Sequence, residues 1–259
     1  MSGACLTKFE EPVGDGRRAI RIDLAYDGSE FSGYAKQPGR RTVQEELESV
    51  LGQVLGAAFE TAVAGRTDAG VHALSQVVSV HTESDRACEK LHKSLIKMLP
   101  PDIAVASVKD AHVGFHARHS AISRRYRYRI GASEIPDPTM RHNTWWTGPI
   151  KTEDLNRAAE LLVGTHDFRA FCKSPAPGES TVRDVIEAQW FAPDSPLVGD
   201  EICFEIEANA FCHQMVRRIV GRCVAVARGK CDVLAPEEVD VLGCAPAPPQ
   251  GLYLVAVKY

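Results

Sequence analysis

The sequence predicts an α+β chain in which the order β-α-β-β-α-β occurs twice. Apolar segments of period two alternate with segments of helical period in that order, first over residues 19–108 and again over 121–259. Gly and Pro punctuate them, and a composition of 44% hydrophobic and 25% charged residues over 259 positions is that of a globular chain large enough to bury a substantial core. This order is the split βαβ, or ferredoxin-like, plan. It divides the chain into an amino-terminal half at 17–112 and a carboxy-terminal half at 121–259, with no sequence repeat between them.

In the first half, Ile20, Ile22 and Leu24 alternate through residues 19–26 as a strand does, and Asp27-Gly28 ends it. The loop over 29–41 carries Phe31, Gly33, Tyr34 and two arginines, so it offers aromatic and basic groups together. Thr42 and Glu45 form a capping box for a helix whose apolar stripe is Val43, Leu47, Val50, Leu51, Val54 and Leu55. Residues 58–64 are apolar enough for a short strand and 74–82 for the next, which places Asp68 on a connection between two strands. Ser84 caps a second helix with Leu91, Leu95, Met98 and Leu99, terminated by Pro100-Pro101; residues 103–108 supply another strand.

In the second half, residues 121–130 place Tyr126, Tyr128 and Ile130 on one strand face and Arg125, Arg127 and Arg129 on the other. Residues 131–150, with three prolines and Trp145-Trp146, read as loop. Thr152 caps a helix through Leu155, Leu161 and Leu162 that Gly164 stops, and a loop with His166, Phe168 and Phe171 leads to strands near 182–192 and 201–211. A helix over 212–228 gathers Met215, Val216, Ile219, Val220, Cys223, Val224 and Ala227 on one face, with Arg217 at its margin and Arg218 and Arg222 on the polar side. Residues 252–259 close the chain as a strand.

The formal net charge of −4 speaks against a nucleic-acid binder. Placement qualifies that: basic residues cluster at Arg17-Arg18, Arg40-Arg41, Arg124 to Arg129 and Arg217-Arg218 with Arg222. Gathered on one face they make a basic cleft, and scattered they are solvated surface charge. The eight cysteines show no C-x-x-C spacing, so neither a zinc site nor a disulfide framework is indicated and reduced, mostly buried thiols are expected. No apolar run has signal-peptide or membrane-span character, which predicts a cytoplasmic protein.

The stretch Gly65-Arg66-Thr67-Asp68-Ala69-Gly70-Val71-His72-Ala73 sets a carboxylate and two cationic candidates between glycines. Val71 and His72 stand where a phosphate-binding P-loop needs Lys and Ser/Thr, which argues against nucleotide triphosphates. By residue type alone a polar turn explains it as well, just as Tyr126 reads as a core aromatic and Arg217 as a surface helix residue.

Six stretches in order resemble the TruA family of tRNA pseudouridine synthases. They are Tyr26-Asp27-Gly28 with Phe31, Gly33 and Thr42-Val43-Gln44-Glu45; the nonapeptide around Asp68; Arg124-Arg125-Tyr126-Arg127-Tyr128; His166-Asp167-Phe168; residues 211–221, from Phe211 to Gly221; and Gly251-Leu252-Tyr253-Leu254. Gly33-Tyr34-Ala35-Lys36 departs from the family's Gly-Trp-Gln opening. The resemblance implies one continuous, mainly antiparallel sheet of two RRM-like halves, with helices on one face and a basic active-site cleft between the halves.

It also implies isomerisation of uridine to pseudouridine at nucleotides 38, 39 or 40 in the tRNA anticodon arm, without cofactor or metal, by a homodimer. Asp68 is then the catalytic carboxylate, Tyr126 the ring on the target uracil and Arg217 the cation paired with Asp68. Leu254 adds an apolar wall, Arg66 contacts and helps extrude the nucleotide, and Arg218 binds substrate. His72 receives no catalytic role. Cleavage of a glycosidic bond develops positive charge at the sugar, which a carboxylate stabilises, captures or relieves of a proton. Two alternatives are a noncatalytic RNA-binding or tRNA-folding module on the same scaffold, which does not require the trio Asp68, Tyr126 and Arg217, and a nucleoside or glycoside hydrolase, which usually needs a second carboxylate.

Overall fold

The computed structural model describes residues 17–259 other than 58, 174, 176, 177, 195, 197, 198, 234 and 241–244; Cys5 and Cys244 lie outside the described residues. Among these, strands and α-helices follow the order β1 (Arg18–Tyr26), α1 (Val43–Leu55), β2 (Ala62–Val63), β3 (His72–Thr82), α2 (Cys88–Met98), β4 (Ile103–Asp110) and β5 (Ser123–Gly131). There follow β6 (Trp145–Trp146), α3 (Thr152–Ala159), β7 (Gly164–Asp167), β8 (Val182–Phe191), β9 (Glu201–Ala208), α4 (Met215–Ala227) and β10 (Leu252–Lys258). The strands form one sheet in the spatial order β4-β1-β3-β10-β5-β9-β8-β7, with β2 added to β3 and β6 to β5. Among the described residues, only β10 with β3 and β6 with β5 pair in parallel. The expected α+β class, with a large and mostly antiparallel sheet, is what the chain adopts.

Alternation along the strands makes the layers. Ile20, Ile22 and Leu24 of β1 and Tyr126, Tyr128 and Ile130 of β5 are buried in one core that also takes Leu47 of α1, Leu91 of α2, Leu155 of α3 and Ile219 of α4. Each such apolar side chain contributes about 1.5–3 kcal/mol on burial. Thr42 caps α1 by accepting from the Glu45 N–H at 3.3 Å, and Gly56, at φ 77°, ends it in the left-handed conformation.

Several expected boundaries are corrected. The strand expected over 58–64 shortens to Ala62–Val63; just beyond it the Ala64 N–H still donates to the Val77 carbonyl of β3 at 2.9 Å, while its carbonyl is taken by the Arg124 guanidinium at 3.0 and 3.1 Å. Neither Ser84 nor Thr152 is an N-cap: α2 starts after Ala87 and α3 after Lys151, with no side-chain cap bond at either. Helix α3 ends at Ala159, short of Leu161, and Gly164 opens strand β7 on β8. Trp145 and Trp146 are not simply loop but pair with Ile130 and Gly131.

The basic face of β5 is also corrected. Arg125 meets Glu187, Glu205 and Glu207 at 2.6, 3.1 and 2.7 Å, Arg127 meets Glu205 at 2.5 Å and Arg129 meets Glu201 at 3.2 Å. Cross-strand carboxylates of β9 therefore neutralise this cluster on the sheet face opposite Tyr126. Elsewhere Arg18 is committed to Asp110 at 2.5 Å and Arg41 to Asp102 at 2.6 Å.

Glu207 shows the strength of this lattice. Burial alone would raise its carboxyl, yet bonds from Lys258, Ser123 and Arg125 outweigh burial and hold it down to about 2. A carboxyl depressed in the folded state stabilises fully above its ordinary value of 4.5 and loses that contribution as pH falls towards about 2. Unfolding measured from pH 5 to pH 2 is expected to lose about 3 kcal/mol less in Glu207→Gln than in the wild type over this window.

Candidate active site

The loop between β2 and β3 is fixed from below by its neighbours' backbone. The Tyr34 N–H donates to the Thr67 carbonyl at 3.0 Å, and Tyr26 Oη pairs with Thr67 Oγ1 at 2.7 Å. Gln76 Nε2 donates to the Gly65 carbonyl at 2.7 Å, and the Val71 N–H closes a turn on the Asp68 carbonyl at 3.2 Å. Two glycines of the preceding loop are required by this contact. A Cβ on Gly28 would stand 2.0 Å from the Val71 carbonyl oxygen, and one on Gly33, at φ 100°, would stand 2.9 Å from that of Thr67. Tyr34 is wholly buried, so the departure from Gly-Trp-Gln lies in the core under the loop.

Asp68 stands at the outer side of the loop with its side chain 23% exposed. Arg217 Nη1 donates to its Oδ2 at 2.8 Å, and Arg217 Nε donates to the Ala247 carbonyl at 2.8 Å. The expected pairing of Asp68 with Arg217 is therefore present. At 12% exposure the arginine is well desolvated, which strengthens such a bond. Position 217, at the margin of the apolar face of α4, lets one residue reach both the loop and the core edge.

The other expected residues fall differently. Tyr126 is 7% exposed, edge-on to Phe211 at 5.0 Å, and burial, followed by the neighbouring Tyr26, pushes its phenol up. Leu254 is directly opposite Tyr126 across β10 and β5 and wholly covered. Arg66 is exposed on the Asp68 loop, with no ion pair among the described residues. Arg218 is half-buried one residue beyond Arg217, and its Nε has no hydrogen-bond partner among the described residues.

His72 is a clamp. The Gly28 N–H and Asp27 Oδ1 each lie 3.1 Å from its Nδ1, and Nε2 faces the carbonyls of His142 and Gln250 at 2.9 and 3.1 Å. Burial pushes its pKa down, against the pull of Asp27, and its ring stacks on Tyr253 at 4.6 Å. Three loops are thereby joined beneath Asp68.

Two features were not foreseen. His213 Nε2 lies 3.2 Å from Asp68 Oδ1. Its position in the same motif as Arg217 was the available signal. Cys172 and Cys212 form a disulfide with a Cα–Cα distance of 5.3 Å, which corrects the expectation of reduced thiols throughout; a separation of 40 residues gives no sequence cue. Cys203 and Cys223 are free and buried. No group of three or more His, Cys, Asp or Glu among the described residues is placed to hold a metal ion.

A partly exposed carboxylate held by a desolvated arginine near a largely buried aromatic ring is suited to stabilising positive charge on a polar substrate. A family model described as tRNA pseudouridine synthase matches residues 24–120 and 158–259. The chain is 42% identical to "tRNA pseudouridine synthase A" of Corynebacterium glutamicum, covering 93% of this chain and 89% of that one. It is 41% identical to the protein of that name from Streptomyces avermitilis, over 97% and 91% of the two chains. With that of a Thermoanaerobacter species it shares 39% over 93% and 100%.

Alanine at Gly28 is expected to displace the Asp68 loop, lowering stability by about 2 kcal/mol and reducing turnover. Gly199→Ala, where a Cβ meets nothing within 4 Å, is expected to change neither in thermal unfolding and activity assays.

Proposed function

Because the chain belongs to the TruA family of tRNA pseudouridine synthases, an isomerase family, we propose that Asp68 is its catalytic carboxylate and that it modifies one or more of uridines 38, 39 and 40 of the anticodon arm. The observation that carries the assignment is the Arg217 bond to Asp68 at 2.8 Å, at the open side of a loop otherwise held by buried backbone contacts. The guanidinium holds in place the carboxylate that meets the positive charge developing when the bond from the sugar carbon C1′ to uracil N1 breaks. The base turns, C5 forms the new bond to the same carbon and gives up its proton, and N1 ends as N–H, so atoms balance and the reaction needs no second substrate.

The target nucleotide has to leave its stack at a cost of a few kcal/mol. The exposed Arg66 is assigned to phosphate and to extrusion, and Tyr126 to the uracil ring, of which the free protein presents only a small part. Leu254 backs Tyr126 and contributes its apolar wall through that ring. Arg218, half-buried one residue beyond Arg217, is assigned to the substrate strand.

The strand orders β4-β1-β3-β2 and β10-β5-β9-β8 support reading the chain as two ferredoxin-like halves over 17–112 and 121–259. The cleft between them then holds Asp68 from one half and Arg217 from the other. The working form is a homodimer, and light scattering of the purified protein is expected to give twice the 28.3 kDa chain mass; a monomer at assay concentration rejects this.

Unmodified tRNA transcripts incubated with enzyme and mapped by carbodiimide adduct and primer extension are expected to stop in the anticodon arm with the wild type. Asp68→Ala and Asp68→Asn are expected to bind tRNA without producing stops. Turnover near wild type in either variant rejects Asp68 as the catalytic group, and binding without stops by the wild type supports the noncatalytic reading.

A further inference from the structure

Arg217 accounts for one oxygen of Asp68, and a single bond at Oδ2 leaves the carboxylate able to rotate about its own axis. We propose that His213 is a positioning residue whose Nε2, 3.2 Å from Oδ1, fixes the plane of the Asp68 carboxylate. This deepens, and rests on, the reading of Asp68 as the reacting group.

The backbone around His213 is built for that contact. Gln214, which follows it, sits at φ 64° and ψ 4°, a left-handed conformation that costs a residue with a Cβ about 1–2 kcal/mol. Such strain persists where surrounding contacts over-determine it, and here they do. The Lys173 N–H donates to the His213 carbonyl at 2.9 Å, the Met215 N–H to the Cys212 carbonyl at 3.1 Å, and Cys212 is joined to Cys172. Residues 212–214 are thus held from the preceding loop and from the entry of α4.

The His213 side chain is 55% exposed, so apolar packing does not account for its placement. Asp68 is its only side-chain partner among the described residues. Arg217 and His213 leave one helix entry four positions apart and reach the two oxygens of one carboxylate. With both oxygens restrained, the plane is set before substrate arrives, and a misdirected carboxylate costs rate without costing affinity.

The test is steady-state kinetics on a tRNA transcript with His213→Ala, His213→Gln and, in parallel, Asp68→Asn. His213→Ala is expected to lower kcat by about tenfold or more with KM within about threefold, since misplacement by about 1 Å is costly. The glutamine amide N–H reaches the place of Nε2, and His213→Gln is expected to recover most of the lost kcat. Both variants are expected to unfold at the wild-type temperature. Wild-type kcat in His213→Ala, a change confined to KM, or a glutamine variant no better than alanine each overturns the positioning role. Turnover by Asp68→Asn instead overturns the assignment of Asp68 itself, whatever the His213 variants do.

Discussion

Two residues of parallel pairing hold the site together. Tyr253 lies beside His72 and Leu254 beside Ala73, and through them β10 joins the strands that carry the Asp68 loop to those that carry Tyr126. So short a ladder is weak by itself, and it is reinforced where it matters. His72 stacks on Tyr253 while bonding to Gly28, His142 and Gln250, so the seam is locked by side-chain and backbone contacts at the foot of the loop. The ion pair between Asp68 and Arg217 spans 149 positions of sequence, and this seam is what makes it short in space.

Arg124 is the second constraint. Its guanidinium is buried and surrounded by carbonyls of Ala64, Arg118, Ala121 and Asn209, with no carboxylate partner among the described residues. Burial pushes its pKa down from the usual 12.5, but an arginine remains charged, and its planar fork meets several acceptors that a lysine would not reach together. By taking the Ala64 carbonyl it ties the start of the loop to β5. A residue that reads as one member of a basic cluster is thus an internal strut, and the loop depends on it.

Much of this was legible in sequence because it is local. Period two gave β1 and β5, and helical period gave α1 and the apolar face of α4, since burial of one face imposes those spacings. The Asp68 loop was legible because glycines mark its turns. What was not legible depends on partners far along the chain. Nothing in Arg125, Arg127 and Arg129 announces the glutamates of β9 that neutralise them. Ser84 and Thr152 have the right chemistry for caps, but packing places the helix starts elsewhere. The contact of His213 with Asp68 needs the left-handed turn at Gln214, a conformation that a glutamine does not advertise.

The neutralised face of β5 bears on how a chain of net charge −4 engages a polyanion. Each phosphate met by a free cation releases a condensed counterion, and the number released sets how steeply affinity falls with salt. Arginines already occupied by glutamates release none. Arg18 and Arg41 are occupied in the same way, whereas Arg40 and Arg66 are exposed and meet no carboxylate among the described residues. The β5 face therefore adds little to that salt dependence, which is set by exposed cations elsewhere on the molecule.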